Sequence, residues 1–314
     1  MGGTKILAAA INSKEGIIAR VKKPTPINAK PNDLNKVVTE IVFETIAEAK
    51  LKRINIKAVC LGIPGSLNPF TGKVSLAPNL GLKNFSLKAQ LEKKLKFPVL
   101  IENDVNLGAL GIKKYGAGIK SKNILVVFIG TGIGGALFFN GKIYRGSNFM
   151  AGEIGHVIID ENGPLCGCGN KGCFEAFASR TAIVRNILLD IKMKKKTIIS
   201  SFSGKNKTIK SKSLAAAIKA NDKVAVTRID EACSIIGTTL ASITNLLNVD
   251  QIVLGGGLIE ALGMYMTPKI KSAFTKVVLN ETSKAVKIVE SKLGDDSALY
   301  GGLVLTEEFL KLKI

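Results

Sequence analysis

The 314-residue chain has a single histidine, His156, only five cysteines, and few acidic residues: 24 Asp and Glu stand against 45 Lys and Arg. Each shortage excludes something. An odd cysteine count without an export segment argues against a disulfide framework and for a reducing compartment. No apolar run reaches bilayer-spanning length, so no membrane partner is expected. The N-terminus has no basic stretch followed by an apolar stretch and a cleavage site, so the expected location is cytoplasmic. No short-period repeat is visible, which excludes solenoids and propellers. The formal net charge of +21 is what a polyanion binder would carry. The excess is nearly all lysine, however, and is spread along the chain. It therefore reads as compositional bias on solvated faces, and no nucleic acid is expected. The one dense stretch, Lys192 to Lys212 interleaved with Ser and Gly, reads as a mobile surface loop.

Hydrophobic content of 46 % and charged content of 22 % fit an ordinary globular protein, and the length implies two domains. The chemistry concentrates in one stretch. His156, Cys166, Cys168 and Cys173 lie close together, and imidazole and thiolate are the ligands that close a tetrahedral zinc site. Gly167, Gly169 and Gly172 would let so short a loop wrap a metal by reaching positive φ. Three clustered cysteines could also be buried small hydrophobes, or two of them a disulfide, although Cys166 and Cys168 are too close for an unstrained bridge. Carboxylates flank the knot at Glu153 and Glu175. The working idea is that zinc stiffens a loop that aims Glu153, His156 and Glu175 into a binding site.

Along the chain, ILAAAI (6–11) and IIARV (17–21) around a turn predict a hairpin. Ahead of it, Gly-Gly-Thr (2–4) could offer backbone N–H groups and a hydroxyl to a phosphate. Pro24, Pro26 and Pro31 mark a loop; Asn32 or Asp33 would cap a helix to about Lys52. A strand is expected over 56–63, a polar loop with Asn68 and Asn79 after it, a short helix over 85–96, and a strand over 99–101. That strand ends at Glu102-Asn103-Asp104. A carboxylate just past the carboxyl end of a strand lies where α/β proteins place chemistry, but Asp104 could equally be only the N-cap of a helix over 105–115. The all-apolar strand 124–129 runs into Gly130-Thr131-Gly132-Ile133-Gly134-Gly135, which suggests close backbone approach to phosphate or simply a tight hairpin. One helix is expected over 173–189, a short one over 214–220, and a long one capped at Asn221-Asp222 and reaching Leu247. The buried strand 251–254 runs into Gly255-Gly256-Gly257, a third strand–glycine–helix junction suited to a nucleotide. A strand over 286–289 and a final helix capped by Asp295-Asp296 close the chain; Gly301-Gly302 in that helix permits close packing. This alternation gives α/β class and two lobes.

GGTK (2–5), ENDVN (102–106), GTGIGG (130–135), GEIGH (152–156), CGCGNKGCFE (166–175) and GGG (255–257) occur in the order found in the ROK family of bacterial sugar kinases and sugar-responsive repressors. The resemblance spans essentially the whole chain, and the cysteine motif with its upstream histidine is its most specific part. It implies the two-lobed actin/hexokinase-like (ribonuclease H-like) ATPase fold with a sugar in the interlobe cleft. The expected division is 1–104 with 295–314 as the small lobe and 105–294 as the large lobe carrying the zinc loop. Residue by residue, the resemblance makes Asp104 the base that takes the proton of the sugar's 6-hydroxyl. Asn79 and Asn103 match sugar-hydroxyl ligands; Glu153, His156 and Glu175 match the residues that hold the ring. His156, Cys166, Cys168 and Cys173 match the zinc ligands. Gly2, Gly3, Thr4 and Lys5 match the first phosphate loop, Gly130, Thr131, Gly132, Gly134 and Gly135 the second, and Gly255, Gly256 and Gly257 the loop near the adenosine. ATP, Mg²⁺ and structural Zn²⁺ are the implied cofactors, a hexose is the implied partner, and a homodimer or homotetramer the implied assembly. The GEIGH motif with Asn79-Leu80-Gly81-Leu82 looks more like the family's glucokinases, in carbohydrate metabolism and glycolysis, than its N-acetylhexosamine or fructose kinases. Met1 stands where family members carry an Asp, and Ile112 where a Glu is common. The first departure makes a catalytically inactive sugar binder the alternative to a kinase. Repressor members carry a helix-turn-helix ahead of Gly-Gly-Thr, and DNA binding through that module is not expected.

Overall fold

Runs of alanine and branched apolar residues build the hairpin of β1 (Lys5–Asn12) and β2 (Gly16–Pro24), the first elements of a computed structural model that describes residues 1–2, 5–26, 31–202 and 209–312. The hairpin turn is set by Asn12, whose Oδ1 accepts from Lys14 N and Glu15 N, and by Gly16 at φ +75°. The chain divides into two compact units: Met1–Ile119, Arg145–Ala151 and Asp295–Ile314 form unit 1, Lys120–Tyr144 and Gly152–Gly294 unit 2.

In unit 1, α1 (Pro31–Glu48) opens on a proline, whose missing N–H costs nothing in a first turn. It buries Leu34, Val38 and Ile41, an i, i+4, i+7 stripe. Then come β3 (Val59–Ile63), a three-stranded antiparallel sheet of β4 (Ser66–Asn68), β5 (Lys73–Ala77) and β6 (Leu82–Ser86), and α2 (Leu87–Leu95), which buries Leu87, Leu91 and Leu95. β7 (Val99–Asn103) lies parallel to β3 and leads into α3 (Asp104–Tyr115). The C-terminal helix Asp296–Leu310 packs directly on α3: a Cβ at Gly301 would overlap the Leu107 carbonyl oxygen, and one at Gly111 the Ser297 carbonyl oxygen. That glycine-mediated contact groups α3 with unit 1, whose first segment runs to Ile119. Ile112, where the resemblance expects a Glu, is fully buried.

Unit 2 is built on a five-stranded sheet of order β10-β9-β8-β11-β12, whose strands are β8 (Ile124–Ile129), β9 (Ile133–Phe139), β10 (Lys142–Tyr144), β11 (Gln251–Gly255) and β12 (Lys287–Glu290). β9 is antiparallel to both β8 and β10, whereas β11 is parallel to both β8 and β12. Ile124, Leu125, Val126 and Val127 are all fully buried, as a strand covered on both faces requires. The helices are α4 (Phe174–Ala178), α5 (Arg180–Lys192), α6 (Ser211–Lys219), α7 (Lys223–Leu247), α8 (Gly257–Thr275) and α9 (Asn280–Ala285); the C-terminal helix of unit 1 is α10. Among the described residues no helix is long and apolar enough to cross a membrane.

Several elements differ from the sequence reading. The single helix expected over 173–189 is two, because the buried Ser179 leaves the helical conformation (φ −72°, ψ 165°) and caps α5 by accepting from Ala182 N. The polar loop after Gly65 is β4 to β6, and Phe85 is in a strand. Asp222 does cap α7, accepting from Ala225 N. Asp295 and Asp296 do not cap α10: they pair with Lys5 at 2.5 Å and Arg20 at 2.6 Å. Lys205 and Lys207 lie outside the described residues.

Candidate active site and metal centre

In unit 1 the site residues gather where β7 gives way to α3. Asn103, not Asp104, is the N-cap: its Oδ1 accepts from Val105 N at 2.9 Å and Asn106 N at 3.1 Å, and its Nδ2 donates to Gly65 O at 3.2 Å. The capping reading of Asp104 is thereby replaced. Asp104 is the first helical residue, and its Oδ1 accepts from Val105 N at 3.1 Å. Burial pushes its carboxyl above the usual carboxylate range; the Met1 ammonium and nearby backbone N–H groups oppose this less strongly. Behind it sits Glu102, 1 % exposed. One Glu102 oxygen accepts from Asn103 N at 3.0 Å and Asn106 Nδ2 at 3.3 Å, the other from Arg145 Nε at 2.7 Å. Arg145 in turn holds Glu308 with both terminal nitrogens, at 2.8 and 3.0 Å. Sequence reasoning assigned no role to this triad. Its one local signal is a carboxylate at the end of an apolar strand, which must find a partner when buried.

Asn79 is exposed in the turn Pro78–Leu80, which ends at Gly81 with φ +63°. Lys5, expected in a phosphate loop, opens β1 and is committed to Asp295. Gly2 donates its N–H to Lys5 O at 2.9 Å and accepts from Thr25 Oγ1 at 2.5 Å. Gly3 and Thr4 lie outside the described residues.

In unit 2, ligand atoms of His156, Cys166, Cys168 and Cys173 all lie within 4.8 Å of one another. Cys168 Sγ and Cys173 Sγ are 3.6 Å apart, and Cys166 Sγ is 3.8 Å from His156 Nδ1. A tetrahedral zinc with Zn–S near 2.3 Å and Zn–N near 2.0 Å sets ligand–ligand edges of about 3.6–3.8 Å. The donor set and spacing are compatible with a structural zinc. They are not those of a disulfide, whose sulfurs lie near 2.05 Å, and all five cysteines are free thiols. Gly169 and Gly172 take positive φ, +96° and +76°, and a Cβ at Gly172 would overlap Asp160 O. Gly167 does not take positive φ, contrary to expectation.

Two carboxylates flank this cluster. Glu153 Oε2 is 3.9 Å from His156 Nε2, on the ring nitrogen turned away from Cys166. Glu175, in α4, spans two features: Oε1 accepts from Cys166 Sγ at 3.2 Å, and Oε2 accepts from Ile133 N at 3.1 Å. Glu175 therefore ties the cysteine cluster to the end of the Gly130–Gly132 turn, and a Cβ at Gly132 would overlap its Oε2.

The glycine junctions of unit 2 divide by what each glycine is for. Gly134 and Gly135 are inside β9, opposite Phe128 and Val127, not in the turn. A Cβ at Gly135 would stand 2.7 Å from Gly152 O, so this glycine seats the segment that carries Glu153 and His156. Gly256 has φ +88°, and its Cβ would lie 2.7 Å from Ile129 O; the N-terminus of α8 thus lies against the end of β8. Gly255 ends β11 beside the Phe128 ring. Gly130 and Gly257 are different. Neither has positive φ, and a Cβ on either would meet nothing within 4 Å. Room is left beside both backbones, next to the N-terminus of a 19-residue helix whose first N–H groups and dipole favour an anion.

The family model described as "ROK family" matches residues 1–308. The chain is 33 % identical over 303 residues to the glucokinase of Halalkalibacterium halodurans, covering 96 % of this chain and 92 % of that protein. Among solved structures, it is similar to a ROK family glucokinase from Streptomyces griseus in complex with glucose and AMPPNP, with a TM-score of 0.82, 27 % identity and 96 % of each chain covered. It is also similar to a ROK family transcriptional regulator, a homologue of the E. coli MLC protein, with a TM-score of 0.86 and 26 % identity over 99 % of this chain and 76 % of that one.

Proposed function

The chain belongs to the ROK family and has its hexokinase-like α/β fold, and from that membership we propose that it is an ATP-dependent kinase that phosphorylates the 6-hydroxyl of a hexose, with glucose the substrate to test first. The observation that carries the reading is the state of Asp104. A neighbouring side chain has taken over the capping of α3, and burial has raised the proton affinity of the Asp104 carboxylate. That is the preparation a general base requires. In the proposed step Asp104 takes the 6-hydroxyl proton as that oxygen bonds to the γ-phosphorus. The bond from the γ-phosphorus to the β–γ bridging oxygen breaks, and ADP leaves with the electron pair.

Asn79 and Asn103 are assigned to sugar hydroxyls; Asn103 Nδ2 has one N–H beyond its bond to Gly65 O. Glu153, His156 and Glu175 are assigned to the ring. His156, Cys166, Cys168 and Cys173 would hold zinc, which supplies rigidity to the loop carrying Glu153 and no step of the transfer. Gly130, Thr131, Gly132, Gly256 and Gly257 are assigned to the nucleotide, which brings Mg²⁺ on its phosphate oxygens. A cytoplasmic homodimer or homotetramer is the proposed working form.

Likeness to a transcriptional regulator supports a second reading, sugar binding without transfer. One experiment separates the two. ADP release from Mg-ATP is measured with glucose, N-acetylglucosamine, N-acetylmannosamine, mannose and fructose in turn, for the parent and for Asp104→Asn. Turnover with glucose, lost by orders of magnitude in Asp104→Asn while glucose affinity holds, is the expected result. Glucose binding without turnover on any of the five would favour the second reading.

A further inference from the structure

We propose that Arg180 binds the β- and γ-phosphates of the nucleotide, with the Thr131 hydroxyl as its co-donor; this rests on the kinase reading. Arg180 is the first residue of α5, and the sequence motifs assign it nothing. Three bonds from the start of that helix grip the glycine turn. Arg180 N donates to Gly130 O at 2.9 Å, Thr181 Oγ1 donates to Thr131 O at 2.7 Å, and Arg180 Nη2 donates to Thr131 Oγ1 at 2.6 Å.

The last bond has a chemical consequence. A hydroxyl that accepts from a guanidinium keeps its own proton for a different acceptor. Thr131 is exposed, so that proton faces outward beside the open backbone of Gly130. The guanidinium itself has further N–H donors, and among the described residues no carboxylate lies within ion-pair distance of it. The other arginines are committed. Arg20, Arg145 and Arg228 pair with carboxylates, Arg53 donates to Leu95 O and lies over the Phe43 and Phe97 rings, and Arg185 donates to Ala176 O.

Arg180 is thus a fixed, uncompensated cation at the edge of a turn whose Gly130 no internal constraint explains. A planar fork of N–H donors beside a hydroxyl matches a phosphate in charge and geometry. The neighbouring N-terminus of α8 adds to the same electrostatic preference, so the ligand class is the polyphosphate of a nucleoside di- or triphosphate.

The test is isothermal titration of Mg-ATP, Mg-ADP, AMP and glucose into the parent, Arg180→Gln and Arg180→Lys, with thermal unfolding of each. Gln can still donate to Thr131 Oγ1 but carries no charge. Arg180→Gln should bind ATP and ADP about 10- to 100-fold more weakly, the range for one charge-assisted contact, with AMP and glucose within about 3-fold. Arg180→Lys should recover part of the loss. Unchanged ATP affinity in Arg180→Gln would mean that Arg180 only props the turn, and equal losses for ATP, ADP and AMP would place its effect on the nucleoside; either result overturns the proposal. A parent that binds glucose but no nucleotide would overturn the kinase reading first and this inference with it. If Arg180→Gln unfolds early, Arg180→Lys carries the test: a partial loss for ATP and ADP with AMP unchanged supports the proposal, and unchanged ATP affinity or a loss shared with AMP refutes it.

Discussion

Arg145→Met removes a charge and keeps most of the side-chain length. In the parent, Arg145 Nε is 2.7 Å from Glu102, and the two side chains are 10 % and 2 % exposed. The variant leaves Glu102 its bonds to Asn103 N and Asn106 Nδ2 but no counterion. Removing one partner of a buried ion pair costs ~3–5 kcal/mol, mostly because the survivor remains buried and charged. At about 2–4 °C per kcal/mol for a unit of this size, the unfolding transition of unit 1 should fall by roughly 6–20 °C. Glu308, the other partner of Arg145, is 39 % exposed, so Glu308→Gln should cost under about 1 kcal/mol. Adding Glu102→Gln to Arg145→Met should restore part of the loss, since an amide needs no counterion. Differential scanning calorimetry of the four proteins at pH 7 measures all of this. Equal losses in Arg145→Met and Glu308→Gln, or no recovery in the double variant, would refute the view that Glu102 drives the cost.

The pH profile of kcat/KM should have an acid limb. Asp104 must be ionised to act, and burial raises its proton affinity, so activity should climb with pH through a midpoint above the ordinary aspartate value of about 3.9; a midpoint at or below that value would exclude Asp104 as the titrating base. The sign for stability is opposite: an elevated carboxyl contributes stability at low pH that is lost as pH rises through its folded value. Asp104→Asn should therefore keep or raise the neutral-pH melting temperature while abolishing transfer. Cys168→Ser should reduce zinc, measured by plasma mass spectrometry, from about one per chain to near none, and weaken glucose binding far more than ATP binding; equal metal in parent and variant would contradict the four-ligand cluster.

What could be read from sequence was local. The uninterrupted apolar runs of β8 and β11 and the four-residue leucine spacing of α2 each report burial through a single period. The metal cluster was legible because its ligands fall between His156 and Cys173, and a short loop leaves them little choice but to meet. The rest depended on partners far away. Ser179 sits among good helix formers, and only its capping of Ala182 N separates α4 from α5. Arg145 meets carboxylates 43 and 163 positions away, and no periodicity encodes that. Glycine was the most ambiguous letter: Gly135 is required by packing, Gly256 by backbone conformation, and Gly130 by neither, yet all three looked alike as phosphate-loop glycines. Asn103 and Asp104 are adjacent and both suited to capping; which one caps was settled by the backbone angles at the end of β7, with Asn103 at φ −58°, ψ 140°.

The path of the chain through its two units has a consequence for biosynthesis. Unit 1 takes α10 from residues translated after every residue of unit 2, the last of which is Gly294. The glycine contact between α3 and α10, and the clasp of Arg145 on Glu308, do not exist until α10 has emerged from the ribosome. At ordinary elongation rates of roughly 5–20 residues per second, α3 waits on the order of 10 s or more with Leu107, Gly111 and their neighbours uncovered. The nascent chain is therefore exposed to chaperones and to misassembly on its N-terminal side, the reverse of the usual order in which the first-made domain is finished first.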